Sequence, residues 1–175
     1  SDYKNTQDKK FVEPFHQLYG SFTFIPEGGY HPLGAEGAAL IMKDDRLTSA
    51  THICTAVGTA TTLAGLIKGS TAKQQIIAVP VLKNLYDLPE RILYLTGKTA
   101  PANLHVLSEY HFGGYAKKTA MLLQFMNDVY TDYRIPTDFV YTAKMLYGIF
   151  EEIKRGYFEK GSTIVCLHTG GLQGN

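Results

Sequence analysis

The run from Thr51 to Ile67 constrains this chain more than any other stretch. Thr51 to Val57 reads Thr-His-Ile-Cys-Thr-Ala-Val, β-branched and apolar, which suits a buried strand. Leu63 to Ile67 is apolar at helical spacing, and between the two lies a short loop of Gly58, Thr59, Ala60, Thr61 and Thr62. A strand that feeds a small-residue loop opening a helix is a ready anion site. The first turn of a helix carries unpaired N–H groups and the positive end of the dipole. The threonines add hydroxyl donors, and small side chains let a phosphate approach the backbone. An ordinary strand-to-helix turn with a threonine cap has the same composition, so both readings stand at this level.

Four more segments read as strands: Phe22 to Ile25 (ended by Pro26), Gln75 to Val79, Leu104 to Leu107 and Thr163 to His168. Nearly all are continuous apolar runs rather than alternating ones, the pattern of strands covered on both faces by crossover helices. Helices are expected at 11–19, 35–42, within 82–97 (broken by Pro89 and stopped by Gly97), 117–134 and 139–158. Met121, Leu122, Phe125, Met126 and Val129 trace a stripe on the fourth of these that reads as core. Thr137 or Asp138 can cap the last. The expected fold class is α/β, a mainly parallel sheet with helices on both faces. In such sheets ligands bind beyond the carboxyl ends of the strands. The glycine-rich loops after 25, 57 and 168, and the aromatic 109–115 loop, all lie there, so one shared site is the better expectation.

Composition narrows the function. With 175 residues, 45% hydrophobic content and a formal net charge of +1, the chain fits one soluble domain with a proper core. Nothing in that charge points to nucleic acid or an anionic membrane, and no apolar run is long enough for a span. The polar stretch Ser1 to Lys10 is no signal peptide, so the cytoplasm is the default compartment. Cys54 and Cys166 sit in apolar runs and read as buried free thiols. Glu27 and His31, in the loop Ile25 to Gly34, invite an acid/base or metal pair, but no further ligands stand at matching spacing and no metal is expected.

Four segments together resemble the D-cysteine desulfhydrase and 1-aminocyclopropane-1-carboxylate (ACC) deaminase family, pyridoxal 5'-phosphate (PLP) enzymes of the tryptophan-synthase-β fold type (fold type II). They are Ile25-Pro-Glu-Gly-Gly29, Val57-Gly-Thr-Ala-Thr-Thr-Leu-Ala-Gly65, Asp138-Phe-Val-Tyr-Thr-Ala-Lys144 and His168-Thr-Gly-Gly-Leu172. The resemblance implies that Gly58, Thr59, Ala60, Thr61 and Thr62 hold the PLP phosphate, with Glu27, Gly28, Gly29, Thr142 and Thr169 also around the cofactor. The family usually has Gly where Ala60 stands. Tyr141 matches the tyrosine beside the cofactor ring, and Tyr115 a second active-site tyrosine. A tyrosine serves as acid/base only with a lowered phenol pKa, for instance near a cation. ACC deaminases carry Glu and Leu where this chain has Thr142 and Thr169, the D-cysteine desulfhydrase pattern. The expected reaction is therefore β-elimination of thiol from a small D-amino acid, giving pyruvate, sulfide and ammonia, with ACC ring opening as the alternative.

The family's cofactor-linking lysine motif and its Ser-Asn-Gln type loop are not found. Lys43, Lys68, Lys73, Lys83 and Lys144 read as ordinary helix or loop lysines. The chain thus resembles the carboxyl-terminal portion of the enzyme. Residues 1–20 would form the junction with a missing small domain, and 21–175 the PLP-binding large domain. Alone it is expected to be inactive. By resemblance its partners are a small amino-acid substrate, a second copy in a homodimer and the missing amino-terminal half. Two other classes stay open: a non-catalytic phosphate-binding α/β module, and an inactive homologue that pairs with a complete one. A dinucleotide site is disfavoured, because Ile77 to Pro80 offer no ribose-binding acid.

Overall fold

A computed structural model describes residues 9–172; residues 1–8 of the expected junction segment, and Gln173 and Gly174 of the final loop, lie outside the described residues. Among the described residues four strands form one sheet: β1 (His52–Val57), β2 (Gln75–Pro80), β3 (Leu104–Val106) and β4 (Ile164–Cys166). Their order is β3-β2-β1-β4 and every pairing is parallel. Six α-helices accompany them: α1 (Lys9–Tyr19), α2 (Pro32–Ala39), α3 (Thr61–Gly69), α4 (Leu88–Thr96), α5 (Ala120–Tyr133) and α6 (Thr142–Lys154).

The continuous apolar runs are explained by two cores, one on each face of the sheet. Ile53 and Val57 of β1, with Ile76 and Ala78 of β2, point towards α2, α3 and α4. Cys54 and, on β2, Ile77 and Val79 point the other way, onto Met145 and Ile149 of α6. Alternate residues of a strand face opposite sides, so a strand covered twice has no wet positions left. Both faces being helix-covered agrees with the expected α/β layer.

The segment Phe22 to Ile25 is extended but pairs with no strand among the described residues, contrary to expectation. It folds onto α1 instead: Phe22 and Phe24 close an apolar groove with Phe11, Val12, Phe15 and Tyr19, and Phe22 stacks on His16 at 4.4 Å. Pro89 does not break its helix but stands in the first turn of α4, where the missing N–H costs nothing. The Met-rich stripe on α5 is only partly core. Leu122 and Val129 are buried, Phe125 packs on Tyr147 and Phe150, and Met121 is 54% exposed. That helix starts at Ala120 because the Thr119 hydroxyl accepts from the Leu122 N–H at 3.2 Å.

Both cysteines are free thiols; Cys54 is buried and Cys166 half-buried, and they are register partners on β1 and β4. The Cys166 thiol beside it, and then burial, push the Cys54 thiol upward. No helix among the described residues is long and apolar enough to cross a membrane.

The crossing of α2 over α3 sets how the first turn of α3 sits. A Cβ on Gly65 would lie 2.5 Å from the Ala38 Cβ and 2.6 Å from the Ala38 carbonyl carbon. In an isolated helix Gly→Ala gains about 1 kcal/mol. Here the overpacking penalty of about 1–3 kcal/mol outweighs it. Gly65→Ala is expected to lower the urea unfolding free energy by up to about 2 kcal/mol; a gain in stability would show that the helices do not cross this closely.

Candidate functional site

Because every strand runs in the same direction, the loops after β1 and β4 open at the same edge. The β1 loop turns through Ala60, which is left-handed at φ 75° and leads into α3. A left-handed alanine is strained by roughly 1–2 kcal/mol, and only glycine takes this conformation freely. The first helical N–H to find its acceptor is Ala64, bonded to the Ala60 carbonyl at 2.9 Å. The N–H groups of Thr61, Thr62 and Leu63 therefore lie in the turn with no helical partner. Beside them Thr59 Oγ1 and Thr61 Oγ1 are 3.1 Å apart, and Thr59 Oγ1 donates to the Gly28 carbonyl at 3.4 Å. From α4, Arg91 Nη1 donates to the Gly58 carbonyl at 3.2 Å while its Nε holds Asp87 at 2.9 Å.

The cup opens into a cleft of about 380 Å³. Glu27, Gly28, Gly58, Thr59, Ala60, Thr61 and Thr62 line one side, and Tyr141, Thr169, Gly170 and Gly171 the other. Two glycines of the cleft are closely packed. A Cβ on Gly28 would stand 2.6 Å from Thr59 Oγ1, and one on Gly58 would stand 3.1 Å from the Tyr141 ring. Tyr141 thus packs against the β1 loop at Gly58 and forms a wall.

That wall is fixed by Asp138, a buried carboxylate. Its Oδ1 accepts from the N–H groups of Val140 (2.9 Å) and Tyr141 (2.7 Å), and its Oδ2 from the Thr142 N–H (3.0 Å) and hydroxyl (2.6 Å). These bonds end the extended approach, so α6 begins at Thr142, three residues later than expected. Gly171 packs on the same carboxylate, where a Cβ would come within 3.1 Å of Asp138 Cγ. His168 Nε2 donates to the Pro136 carbonyl at 2.7 Å and its Nδ1 accepts from Gly170 N–H at 3.3 Å, which braces the β4 loop.

Most of the residues expected around a cofactor therefore meet in one cleft. Three do not line it. Gly29, at φ 62°, sits behind Gly28; its carbonyl would be 2.1 Å from a Cβ on Gly34 of α2. Thr142 is fully buried with its hydroxyl given to Asp138. Tyr115 is 55% exposed and meets the cleft only through Tyr141, edge to face at 6.1 Å. His31 is not paired with Glu27 but accepts from Leu33 N–H to cap α2. The reading of Lys144 as an ordinary helix lysine is wrong: it is wholly buried, because it bonds inward to the aromatic loop. Its place among the buried positions 144, 145, 148, 149 and 152 of α6 was the available sign. Arg91 and His168, which act on backbone carbonyls, carry no such sign.

The Tyr141 phenol is pushed up to about 12, by burial first, then by its hydrogen bond with Tyr115 and the Glu27 and Asp138 charges. No cation lowers it, so at neutral pH the hydroxyl keeps its proton and acts as a hydrogen-bond donor. Tyr110, buried against Glu152, is likewise pushed up to about 12. Raised phenol pKa values contribute stability that is complete below the unfolded value near 10 and is lost as pH climbs through about 12. Unfolding midpoints should therefore fall between pH 10 and 12, and Tyr141→Phe should flatten that fall. An unchanged slope in the variant would contradict this environment for Tyr141.

A phosphorylated, flat, mixed-charge molecule suits this donor set. The α3 turn and two threonine hydroxyls face an anion, the Tyr141 ring offers a flat wall, and the Glu27 carboxylate suits a positive group. Among the described residues no lysine lines the cleft. No model of a known protein family matches the chain. Individual relatives do. A Pyrococcus abyssi protein named "Putative 1-aminocyclopropane-1-carboxylate deaminase" is 30% identical over 166 residues, 86% of this chain and 50% of its own length. A Thermotoga maritima protein of the same name is 32% identical, over 86% of this chain and 52% of its length. The D-cysteine desulfhydrase of Salmonella typhi is 25% identical over 84% of this chain and 49% of its length. A crystal structure of an ACC deaminase homologue superposes with a TM-score of 0.79 at 26% identity, over 99% of this chain and 57% of that one. The chain thus spans about half the length of the curated relatives it matches. With that shared sequence, fold and coverage, this chain belongs to the D-cysteine desulfhydrase and ACC deaminase family.

Proposed function

We propose that the cleft holds PLP and that the chain is the cofactor-phosphate portion of a lyase or deaminase acting on a small amino acid, most like D-cysteine desulfhydrase. One observation carries this reading: the left-handed turn at Ala60 aims the first turn of α3 and the hydroxyls of Thr59 and Thr61 into the same cleft that Tyr141 walls. Bound there, PLP would supply an electron sink for the substrate's α-carbon. The chain's own residues do the rest. The α3 turn and the threonines bind the phosphate, with Arg91 holding the Gly58 carbonyl turned away from it. Tyr141 would help hold the cofactor from the cleft wall, and its protonated hydroxyl could donate to substrate or leaving group. Thr169 offers a hydroxyl from the opposite wall.

The reaction class rests on Thr142 and Thr169. A carboxylate at such a position would strengthen the electron sink. A hydroxyl is weaker, yet enough for loss of a thiolate, which leaves easily, and less suited to opening a cyclopropane. Since Thr142 gives its hydroxyl to Asp138, Thr169 is the one of the two facing the cleft. ACC ring opening remains the second reading because relatives bearing that name are 30–32% identical, against 25% for the desulfhydrase. In the protein that carries this chain, D-cysteine turnover should exceed ACC turnover; comparable release of 2-oxobutyrate from ACC would reverse the order. Since no lysine among the described residues lines the cleft, residues 1–175 alone should bind PLP without a borohydride-trappable link to a particular lysine.

Binding tests the phosphate cup directly. PLP should bind more tightly than unphosphorylated pyridoxal by at least tenfold, and Thr59→Val combined with Thr61→Val should remove most of that margin, since a charge-assisted hydrogen bond contributes about 1.5–3 kcal/mol. Equal affinities for the two compounds, measured by fluorescence titration, would rule the cup out as the phosphate site.

A further inference from the structure

Lys144 is the least expected residue in the molecule. It lies in the first turn of α6, is 0% exposed and forms no ion pair among the described residues. Burial lowers its pKa, and the Asp138 carboxylate opposes that through space. Its ammonium is satisfied instead by two backbone carbonyls, of His111 at 2.9 Å and Gly114 at 2.7 Å. A buried ammonium is costly unless its protons find acceptors, and here the acceptors come from a single turn.

That turn has three hydrogen bonds of its own, Gly114 N–H to the His111 carbonyl at 3.0 Å, Lys117 N–H to the Gly114 carbonyl at 3.1 Å and Gly113 N–H to His111 Nδ1 at 2.9 Å, and Lys144 adds to the two carbonyls already in use. Phe112, Gly113, Gly114 and Ala116 all have positive φ, at 52°, 94°, 119° and 52°. Phe112 and Ala116 are the strained positions of this run, since glycine takes positive φ freely. Its leading end is held separately: Tyr110 packs on Gly148, where a Cβ would come within 2.8 Å of the ring, and its hydroxyl bonds Glu152 and Arg155. Lys144, Gly148 and Glu152 are spaced four apart, so one face of α6 receives the whole loop. The trailing end delivers Tyr115, which is half-exposed and meets Tyr141 through a ring contact at 6.1 Å and a hydrogen bond.

From this geometry we infer that Lys144 is a positioning residue: its ammonium clamps the carbonyls of His111 and Gly114 and thereby holds Tyr115 against Tyr141, the wall of the cleft. The functional weight of that contact rests on the proposed cofactor reading; the clamp does not. A lysine used only for stability would lower the unfolding midpoint without moving the tyrosine contact.

The test uses the intact chain uniformly labelled with carbon-13 and nitrogen-15 and no cofactor, so failure of the cofactor reading leaves its outcome unaffected. In the unsubstituted protein, Lys144 Nζ should show couplings across its hydrogen bonds to the carbonyl carbons of His111 and Gly114, and the Tyr115 and Tyr141 rings should show mutual cross-relaxation. Lys144→Met should abolish the ring cross-peak while Tyr110 still ionises near pH 12, which certifies an intact leading end. Absent couplings, or a ring cross-peak that survives in folded Lys144→Met, overturns the proposal. Should Lys144→Met not fold, Lys144→Arg decides: it keeps charge and donors but carries a longer, planar head. The ring cross-peak should then fall more than twofold, and an unchanged one overturns the clamp.

Discussion

The parallel pairing of β1 on both sides is the constraint on which the rest depends. With β2 on one flank and β4 on the other, β1 is central and cannot slip by one residue without exchanging its two buried faces. Parallel direction also forces every connection to cross a face of the sheet, which is why helices cover both. The consequence for chemistry is positional. The loop after β1, the loop after β4 and the start of α6 are delivered to one edge although they come from sequence positions near 58, 170 and 141.

Within that edge the parts support one another through backbone contacts more than through side-chain pairs. Tyr141 packs on a glycine at position 58, Thr59 on one at position 28, and Asp138 on one at position 171. Asp138 joins two of these groups, since it starts α6 and seats the β4 loop. Arg91 and His168 act on carbonyls of the same loops from behind. The resulting cleft is polar at the β1 loop and aromatic along its wall. That division matches a phosphorylated planar molecule better than a simple anion, and it is the physical content of the family resemblance.

Much of this was legible in the sequence. Continuous apolar runs announced a doubly covered parallel sheet, and small residues between Val57 and Leu63 announced a helix start open to an anion. What failed did so where tertiary contacts overrode local pattern. Phe22 to Ile25 has strand composition, yet its aromatics find a better partner in the apolar face of α1 than in the sheet. The α5 stripe has helical spacing, yet α5 meets few neighbours, so Met121 stays wet. Lys144 departs from the pattern because lysine is almost always at the surface, and a turn with φ between 52° and 119° supplies the carbonyls that bury it. Thr142 shows the limit of motif reading: its position was right at the start of α6, but its hydroxyl turns to Asp138.

The central claim is that the end of β1 is the phosphate-binding end of a cofactor site. Backbone amide chemical shifts test it most directly. Addition of PLP should perturb the amides of residues 59–63 and 169–171 together, and inorganic phosphate should reproduce the first group alone. Perturbations centred instead on the opposite edge of the sheet, around His52, Gln75 and His105, would contradict the account.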